Sequence, residues 1–86
     1  MKIAFTRHAK GKFRKFAEVG AFFSEQDVIK VIESPEHTDK VSDSPNTIVS
    51  RTTDEKHVLR VVFKVEDDII IVITFYPAQR GRYYEA

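Results

Sequence analysis

The sequence contains no cysteine, which excludes disulfide bonds and metal sites built from thiolates. Its three histidines, at positions 8, 37 and 57, form neither an HxxxH nor an HxH pattern, so no zinc site is expected. Its three glycines, at positions 11, 20 and 81, stand apart from one another, which excludes a glycine-rich phosphate-binding loop. We therefore expect neither a bound metal nor another cofactor.

Long apolar runs are also missing from the sequence. No stretch approaches the roughly 20 apolar residues that a membrane-spanning helix needs. The longest apolar run, residues 69–73, is bounded by Asp68 and Thr74. Strand-like sequence starts at Met1 and charged residues follow at once, so no secretory leader is expected. These absences predict a cytoplasmic protein that makes no contact with a membrane.

Charge is distributed unevenly along the 86 residues, which we expect to form one domain, 1–86. Residues 1–20 carry a balance of +5, whereas residues 21–78 carry a balance of −5. A local basic patch can attract phosphate groups even when the net charge is near zero. The alternative is a solvated helix face without a binding role. The candidates for nucleic-acid binding in this segment are Arg7, Lys10, Arg14 and Lys15.

Two amphipathic segments predict helices at residues 7–19 and 25–33. In the first segment, apolar residues recur at three- and four-residue spacing, and most cations lie off that stripe. Thr6 and Ser24 are the predicted N-caps, because their hydroxyls can accept hydrogen bonds from amides of the first turn. A glycine follows the first helix and a proline follows the second, as is common at helix ends. Residues 35–46 are then expected to form a polar loop.

Four segments rich in β-branched and aromatic residues predict strands. They are residues 1–6, 47–53, 57–66 and 69–76. In the third strand, polar and apolar residues alternate, so Arg60 and Leu59 point to opposite faces. Asp67 and Asp68 mark a hairpin turn, and Pro77 is expected to end the last strand because it has no N–H to donate.

These elements predict an α+β domain. We expect two N-terminal helices packed on one face of a four-stranded, mainly antiparallel sheet. The expected order of elements is strand, helix, helix, strand, strand, strand. The predicted core consists of Phe13, Phe16, Ile29, Ile32, Val61, Phe63 and either Ile71 or Ile73.

The order of elements resembles that of the RelE/ParE superfamily of small toxins. The segment VLRVVFKVEDDIIIVITFYPAQRGRYY is similar to the ending of that superfamily: an arginine in an alternating strand, an acidic turn, an apolar strand, then arginine and tyrosine. The segment FTRHAKGKFRKFAEVGAFFSEQDVIKVIESPE resembles more closely a related uncharacterised domain family of bacteria and archaea. That family is recognised by a His-Ala in the first helix and by an Asn-Pro or Ser-Pro that ends the second.

The resemblance implies a RelE-like fold and an activity directed at RNA. Ribosome-dependent members of the superfamily hold and cleave messenger RNA with the open sheet face and the C-terminal tail. The catalytic candidates at matching positions are Arg60, Arg80 or Arg82, and Tyr83 or Tyr84. Other members use a histidine and a glutamate; His57, which begins the strand of Arg60, is the matching histidine, but no glutamate is clearly placed. Lys64 is a candidate for the RNA-binding lysines that ribosome-bound members carry on the sheet.

These residue types suit metal-free RNA cleavage. The 2′-hydroxyl must lose a proton as it attacks phosphorus, and the additional phosphate charge must be stabilised. The arginines suit the second task, because a guanidinium matches two phosphate oxygens and does not deprotonate. A tyrosine can stack on a base, and histidine is the better acid or base near neutral pH.

Each candidate also has a structural interpretation. Arg60 can be solvated or paired with Glu66 or Asp54, and the two terminal tyrosines can cover a sheet edge or pack between subunits. His8 at the start of a helix is more often a structural hydrogen-bonding residue than a catalyst. For the tail, we expect Gly81 to allow a bend that brings an arginine and a tyrosine over the sheet near Arg60.

Two functional hypotheses follow from the sequence. The first is a toxin-like RNA-binding enzyme, a metal-independent and ribosome-dependent mRNA endonuclease that a small acidic antitoxin neutralises. The second is a non-catalytic module of the same fold that binds nucleic acid through its basic patch or forms a homodimer through its apolar sheet face.

Overall fold

The computed structural model of this chain describes residues 1–80, which form five strands and two helices. The elements are β1 (Lys2–Phe5), α1 (Arg7–Glu18), α2 (Glu25–Glu33), β2 (His37–Asp39), β3 (Thr47–Thr52), β4 (His57–Glu66) and β5 (Ile69–Gln79). The strands form one sheet in the order β1-β5-β4-β3-β2. β1 runs parallel to β5, and every other pair is antiparallel. The predicted α+β class is therefore confirmed.

The prediction of four strands is wrong, because β2 forms within the segment expected to be a polar loop. All three residues of β2 are polar, so no apolar alternation marks this strand in the sequence. Hydrogen bonds to β3 hold this polar segment at the edge of the sheet. The amide of Glu36 donates to the carbonyl of Ser50 at 2.9 Å. The Glu36 carboxylate accepts hydrogen bonds from the amide and hydroxyl of Thr52 at 2.9 and 2.7 Å.

Both predicted helices are confirmed, and each begins after its predicted N-cap. Thr6 Oγ1 accepts a hydrogen bond from the amide of Ala9 at 3.1 Å. Ser24 and Asp27 form a capping box, in which each side chain accepts a hydrogen bond from the other residue's amide. Neither helix of residues 1–80 is both long enough and apolar enough to cross a membrane.

Both helices pack on one side of the sheet, which we call the helix face; the opposite side is the second face. The buried core on the helix face consists of Ala9, Val28, Val31, Val49, Leu59, Val61, Val72 and Phe75. The predicted core residues that pack around it, partly buried, are Phe13, Phe16, Ile32 and Phe63. Ile29 was expected in the core but is only half-buried. The helices do not cover the second face, yet its central residues Ile48, Val58 and Val62 are also buried.

The prediction that β5 contributes Ile71 or Ile73 to the core is wrong. The pairing of β4 with β5 shifts register after Val62, which leaves Ile73 as an additional residue in β5. This bulge reverses the alternation of side chains along the strand. The helix face therefore receives Phe75 on one side of the bulge and Val72 on the other, and both are fully buried.

β5 also continues two residues past Pro77, so the prediction that this proline ends the strand is wrong. The amide of Arg80 donates to the carbonyl of Lys56 at 2.8 Å, which sets the alternation of the β4–β5 ladder. In that alternation, the nitrogen of Pro77 points away from β4. Because β1 pairs with β5 only as far as Val72, the missing N–H at Pro77 interrupts no ladder between the described strands.

Candidate nucleic-acid interface

Four side chains form a row across the second face of the sheet, which we call the Arg60 row. His37 of β2 pairs with Ser50 of β3, Ser50 with Arg60 of β4, and Arg60 with Tyr76 of β5. Directly paired residues of antiparallel strands place their side chains on the same face. With strands about 4.8 Å apart, the row spans about 15 Å. An imidazole, a hydroxyl, a guanidinium and a phenol therefore lie along one line.

Arg60 is buried in this row, with 7% of its surface exposed. Its Nε donates a hydrogen bond to Tyr76 Oη at 3.1 Å, and the guanidinium carbon lies 5.7 Å from the centroid of the Tyr76 ring. The hydroxyl of Tyr76 thus orients the guanidinium while the ring covers part of it. The interpretation of Arg60 as a solvated surface residue is wrong.

Asp39 adds a carboxylate to the same face, two residues after His37 in β2. Hydrogen bonds from the side chain and amide of Ser42 and from the amide of Val41, with a smaller contribution from the positive charge of Arg60, lower the pKa of Asp39 to about 2. Asp39 therefore stays ionised near neutral pH. Its charge offsets part of the cost of burying the guanidinium.

Ser50 is an unusual member of the row because its hydroxyl is buried and unsatisfied. The residue is 1% exposed, and within the described chain Ser50 Oγ has no hydrogen-bond partner. Buried polar atoms in native proteins are nearly always paired, so this hydroxyl is an exception. This hydroxyl sits between His37 and Arg60 in the row.

His57, a predicted catalytic residue, does not lie with Arg60. It precedes Leu59 by two residues in β4, so its side chain points to the helix face. There His57 Nδ1 lies 3.0 and 3.2 Å from the two carboxylate oxygens of Asp54. The structure therefore separates the predicted histidine from the predicted arginine by the thickness of the sheet.

The tail candidates are only partly described. Arg80 is exposed directly after β5. Hydrogen bonds from Thr52 contribute most to lowering the pKa of Glu36, and the charges of Arg51 and Arg80 lower it further, whereas burial opposes the shift. Arg80 thus lies toward β3, near one end of the sheet. The other tail candidates and the predicted bend lie outside the described residues: Gly81, Arg82, Tyr83 and Tyr84.

The predicted cations of α1 are exposed on the outside of the helix, away from the Arg60 row. They are Arg7, Lys10, Arg14 and Lys15, with His8 exposed among them. Lys64 lies on β4, where its Nζ is 3.0 Å from Glu66 Oε2. The chain therefore carries a basic helical surface and a separate row on the sheet.

Sequence reasoning missed three residues of the row: His37, Ser50 and Tyr76. His37 lies in the strand that has no apolar pattern, and Ser50 is a single hydroxyl in a strand without a motif. The turn at Asp67 and Asp68 alone would pair Arg60 with Phe75 and would not reveal Tyr76. The bulge after Val62 makes that register unreadable from the sequence.

Within residues 1–80, no group of three or more histidine, aspartate or glutamate side chains is arranged to hold a metal ion. No family model, no curated protein and no solved structure matches this chain. The resemblance to RelE/ParE toxins therefore remains a prediction, and any functional argument depends on the geometry of the site itself.

Proposed function

We propose that this chain binds single-stranded RNA on the second face of its sheet and cleaves it without a metal ion, as RelE-like toxins do. The observation that carries the proposal is the Arg60 row. It combines a group for phosphate charge, a group for proton transfer and an unsatisfied hydroxyl on one face. Charge stabilisation and proton transfer are the two tasks that metal-free phosphodiester cleavage requires.

In the proposed reaction, His37 takes the proton of the 2′-hydroxyl as its oxygen attacks the adjacent phosphorus. The bond from phosphorus to the 5′-oxygen then breaks, and that oxygen receives a proton from a tyrosine or from water. The products are a 2′,3′-cyclic phosphate and a 5′-hydroxyl. Arg60, held by Tyr76, stabilises the charge on the phosphate oxygens, which is the contribution a fixed guanidinium makes best.

The basic surface of α1 has a binding role in this proposal. The exposed cations there would hold phosphates of a second stretch of RNA, such as RNA of the ribosome, while Lys64 on β4 would contact RNA on the sheet. Such an activity in the cytoplasm would require a neutralising partner, for which a small acidic antitoxin is the proposed candidate.

A second candidate function is a non-catalytic binding or dimerisation module of the same fold. The observation that favours it is the burial of Arg60, because a guanidinium with 7% exposure offers a substrate little surface. In this case, Arg60 serves to hold Tyr76 and the charge of Asp39 in place.

The two functions are distinguished by RNA cleavage measured in EDTA, with and without ribosomes. His37→Ala should lower the rate by 10²-fold or more, as is typical for loss of a proton-transfer group. His8→Ala, which removes an exposed histidine from α1, is the matched control and should keep the rate. Arg60→Lys, checked for folding by thermal unfolding, should also lose cleavage. If the natural protein cleaves no RNA either with or without ribosomes, the non-catalytic module is the supported function.

A further inference from the structure

The helix face carries a cavity that the proposed cleavage site does not use. Its volume is about 350 Å³, and it lies where the loop between α1 and α2 meets the ends of β4 and β5. The lining residues are Gly20, Ala21, Phe22, Phe23, Thr53, Asp54, His57 and Pro77. Three rings and one hydrogen-bonding pair therefore surround a space at the small end of the range for ligand sites.

The loop that forms one wall is held firmly. Gly20 has a φ of +86°, a backbone conformation that glycine adopts without strain, and its amide donates to the carbonyl of Ala17 at 3.0 Å. The amide of Ala21 donates to the carbonyl of Phe16 at 2.9 Å. Phe23 then packs its ring against Phe16 at a centroid distance of 5.7 Å. The position of the adjacent Phe22 is thus set by its neighbours.

Phe22 does not pack in the core, because 78% of its surface is exposed. Val19 on the same loop is 79% exposed. An exposed aromatic ring on a rigid loop, at the mouth of a cavity, is a suitable platform for stacking a planar ring. Pro77 supplies a second rigid ring to the cavity.

His57 presents one defined nitrogen at this cavity. The amides of Lys56 and His57 donate to Asp54 at 2.8 and 2.9 Å, and these bonds with the His57 side chain lower the pKa of the Asp54 carboxyl. An ionised carboxylate can only accept hydrogen bonds, so Nδ1 of His57 carries the proton that points at Asp54. With the proton on Nδ1, Nε2 is an acceptor whenever it carries no proton of its own.

Two cations connect this cavity with the Arg60 row. Lys56 and Arg80 are exposed and face each other across the end of the β4–β5 ladder, where the backbone of one donates to the other. His57 is three residues from Arg60 along β4, a distance of about 10 Å, although the two side chains are on opposite faces. A single RNA strand that bends around this end of the sheet can reach both sites within a few nucleotides.

We propose that the cavity binds one unpaired base of the RNA, stacked on Phe22, and that it prefers bases carrying an exocyclic amino group, whose N–H donates to Nε2 of His57. The proposal rests on the RNA binding proposed above and adds a recognition subsite to it. A protein side chain is the other conceivable occupant. The base is favoured because rings and the imidazole of His57 line the cavity, and because the exposed cations Lys56 and Arg80, next to His57 at this end of the ladder, suit phosphates.

The test compares two RNA hexamers that differ only in that amino group: one contains adenine, the other unsubstituted purine. Binding is measured by fluorescence anisotropy at low salt in EDTA, with 2′-O-methyl sugars to prevent cleavage. The natural sequence should bind the adenine hexamer about fivefold more tightly, as expected for one hydrogen bond. His57→Leu should abolish this difference, and Phe22→Ala should weaken both hexamers roughly tenfold through lost stacking.

Val41→Ala, which alters a residue that is 82% exposed elsewhere, is the control and should change neither affinity. Equal binding of the two hexamers by the natural sequence, or an unchanged difference in His57→Leu, would overturn the subsite while leaving RNA binding in place. A change of oligomeric state in Phe22→Ala, with RNA affinity unchanged, would overturn it in favour of a protein-docking surface. Absence of any RNA binding would refute the proposed function and the subsite together.

Discussion

Phe75 joins the aromatic residues of the helix face. It is fully buried, and its ring centroid lies 4.6, 5.9 and 6.0 Å from those of Phe13, Phe16 and Phe23. These three rings come from α1 and from the loop that follows it, so Phe75 links β5 to both. Aromatic pairs at such distances stabilise a fold beyond the apolar area they bury.

We therefore expect Phe75→Ala to lower the free energy of unfolding by about 3–5 kcal/mol, which is a large part of the stability of a small domain. Phe22→Ala is the matched control, because this ring is 78% exposed and its loss should cost less than about 0.5 kcal/mol. Urea unfolding of the two variants provides the comparison. Equal costs would show that the aromatic cluster does not stabilise the core.

The low pKa of Asp39 predicts that the stability of the fold changes with pH in the acid range. That pKa is about 2 in the folded protein against an ordinary value of 3.8, so the folded state binds this proton less readily than the unfolded state. The charged carboxylate therefore stabilises the fold above about pH 4, and this contribution is lost as the pH falls toward 2. Asp39→Asn keeps an oxygen acceptor for the two amides and removes the charge.

Natural sequence and Asp39→Asn should accordingly differ in melting temperature at pH 6 and converge as the pH approaches 2. A constant difference over this range would show that the charge of Asp39 contributes nothing.

At the residue scale, the sequence identifies Arg60 as a candidate site residue, but it does not show which residues surround its side chain. Its burial against Tyr76 depends on strand register, which no short-range pattern encodes.

At the scale of elements, the β4–β5 hairpin has an unfavourable turn. Asp67 and Asp68 both have positive φ, +51° and +62°, as the two central residues of a type I′ turn do. Asparagine followed by glycine is the preferred pair there, because a side chain in this region costs about 1 kcal/mol.

Asp68→Gly should therefore raise the free energy of unfolding by about 1 kcal/mol. Asp43→Gly, in a loop position without positive φ, is the control and should give no such gain. Thermal unfolding of both variants measures the effect. A destabilised Asp68→Gly protein would mean that its carboxylate has a structural role.

A second prediction at the scale of elements concerns RNA binding by the exposed cations of α1. If these cations contact phosphates, the triple change Lys10→Ala, Arg14→Ala and Lys15→Ala should weaken RNA binding at low salt. The slope of log affinity against log salt should flatten by about one unit per lost phosphate contact. The control removes three exposed lysines elsewhere: Lys2, Lys30 and Lys40. Equal slopes in the two triple variants would support a solvated helix face.

The helices were the most predictable elements, because their signals are local. Thr6 and Ser24 cap them through side chains three residues from the amides they bind. β2 gave no such signal, since its pairing depends on Glu36 and Thr52, which are 16 residues apart. The bulge at Ile73 was equally hidden, because it satisfies packing on the helix face and not a local preference.

At the scale of the whole molecule, the sheet separates two chemical surfaces. The helix face holds the aromatic core and the His57 cavity, while the second face holds the Arg60 row. The sequence predicts the α+β class, but it does not reveal that β1 joins β5 in parallel, because this contact links the two ends of the chain. The order β5-β4-β3-β2 in the sheet places His37 and Tyr76 in one row.

If the Arg60 row is the RNA-binding site, as proposed, RNA should perturb its four residues most strongly. The most direct measurement is NMR chemical-shift mapping of backbone amides during titration with a single-stranded RNA hexamer that contains 2′-O-methyl sugars. We expect the largest shifts at His37, Ser50, Arg60 and Tyr76, and smaller ones on α1 and around His57. Shifts confined to α1, or no shifts at saturating RNA, would contradict this proposal.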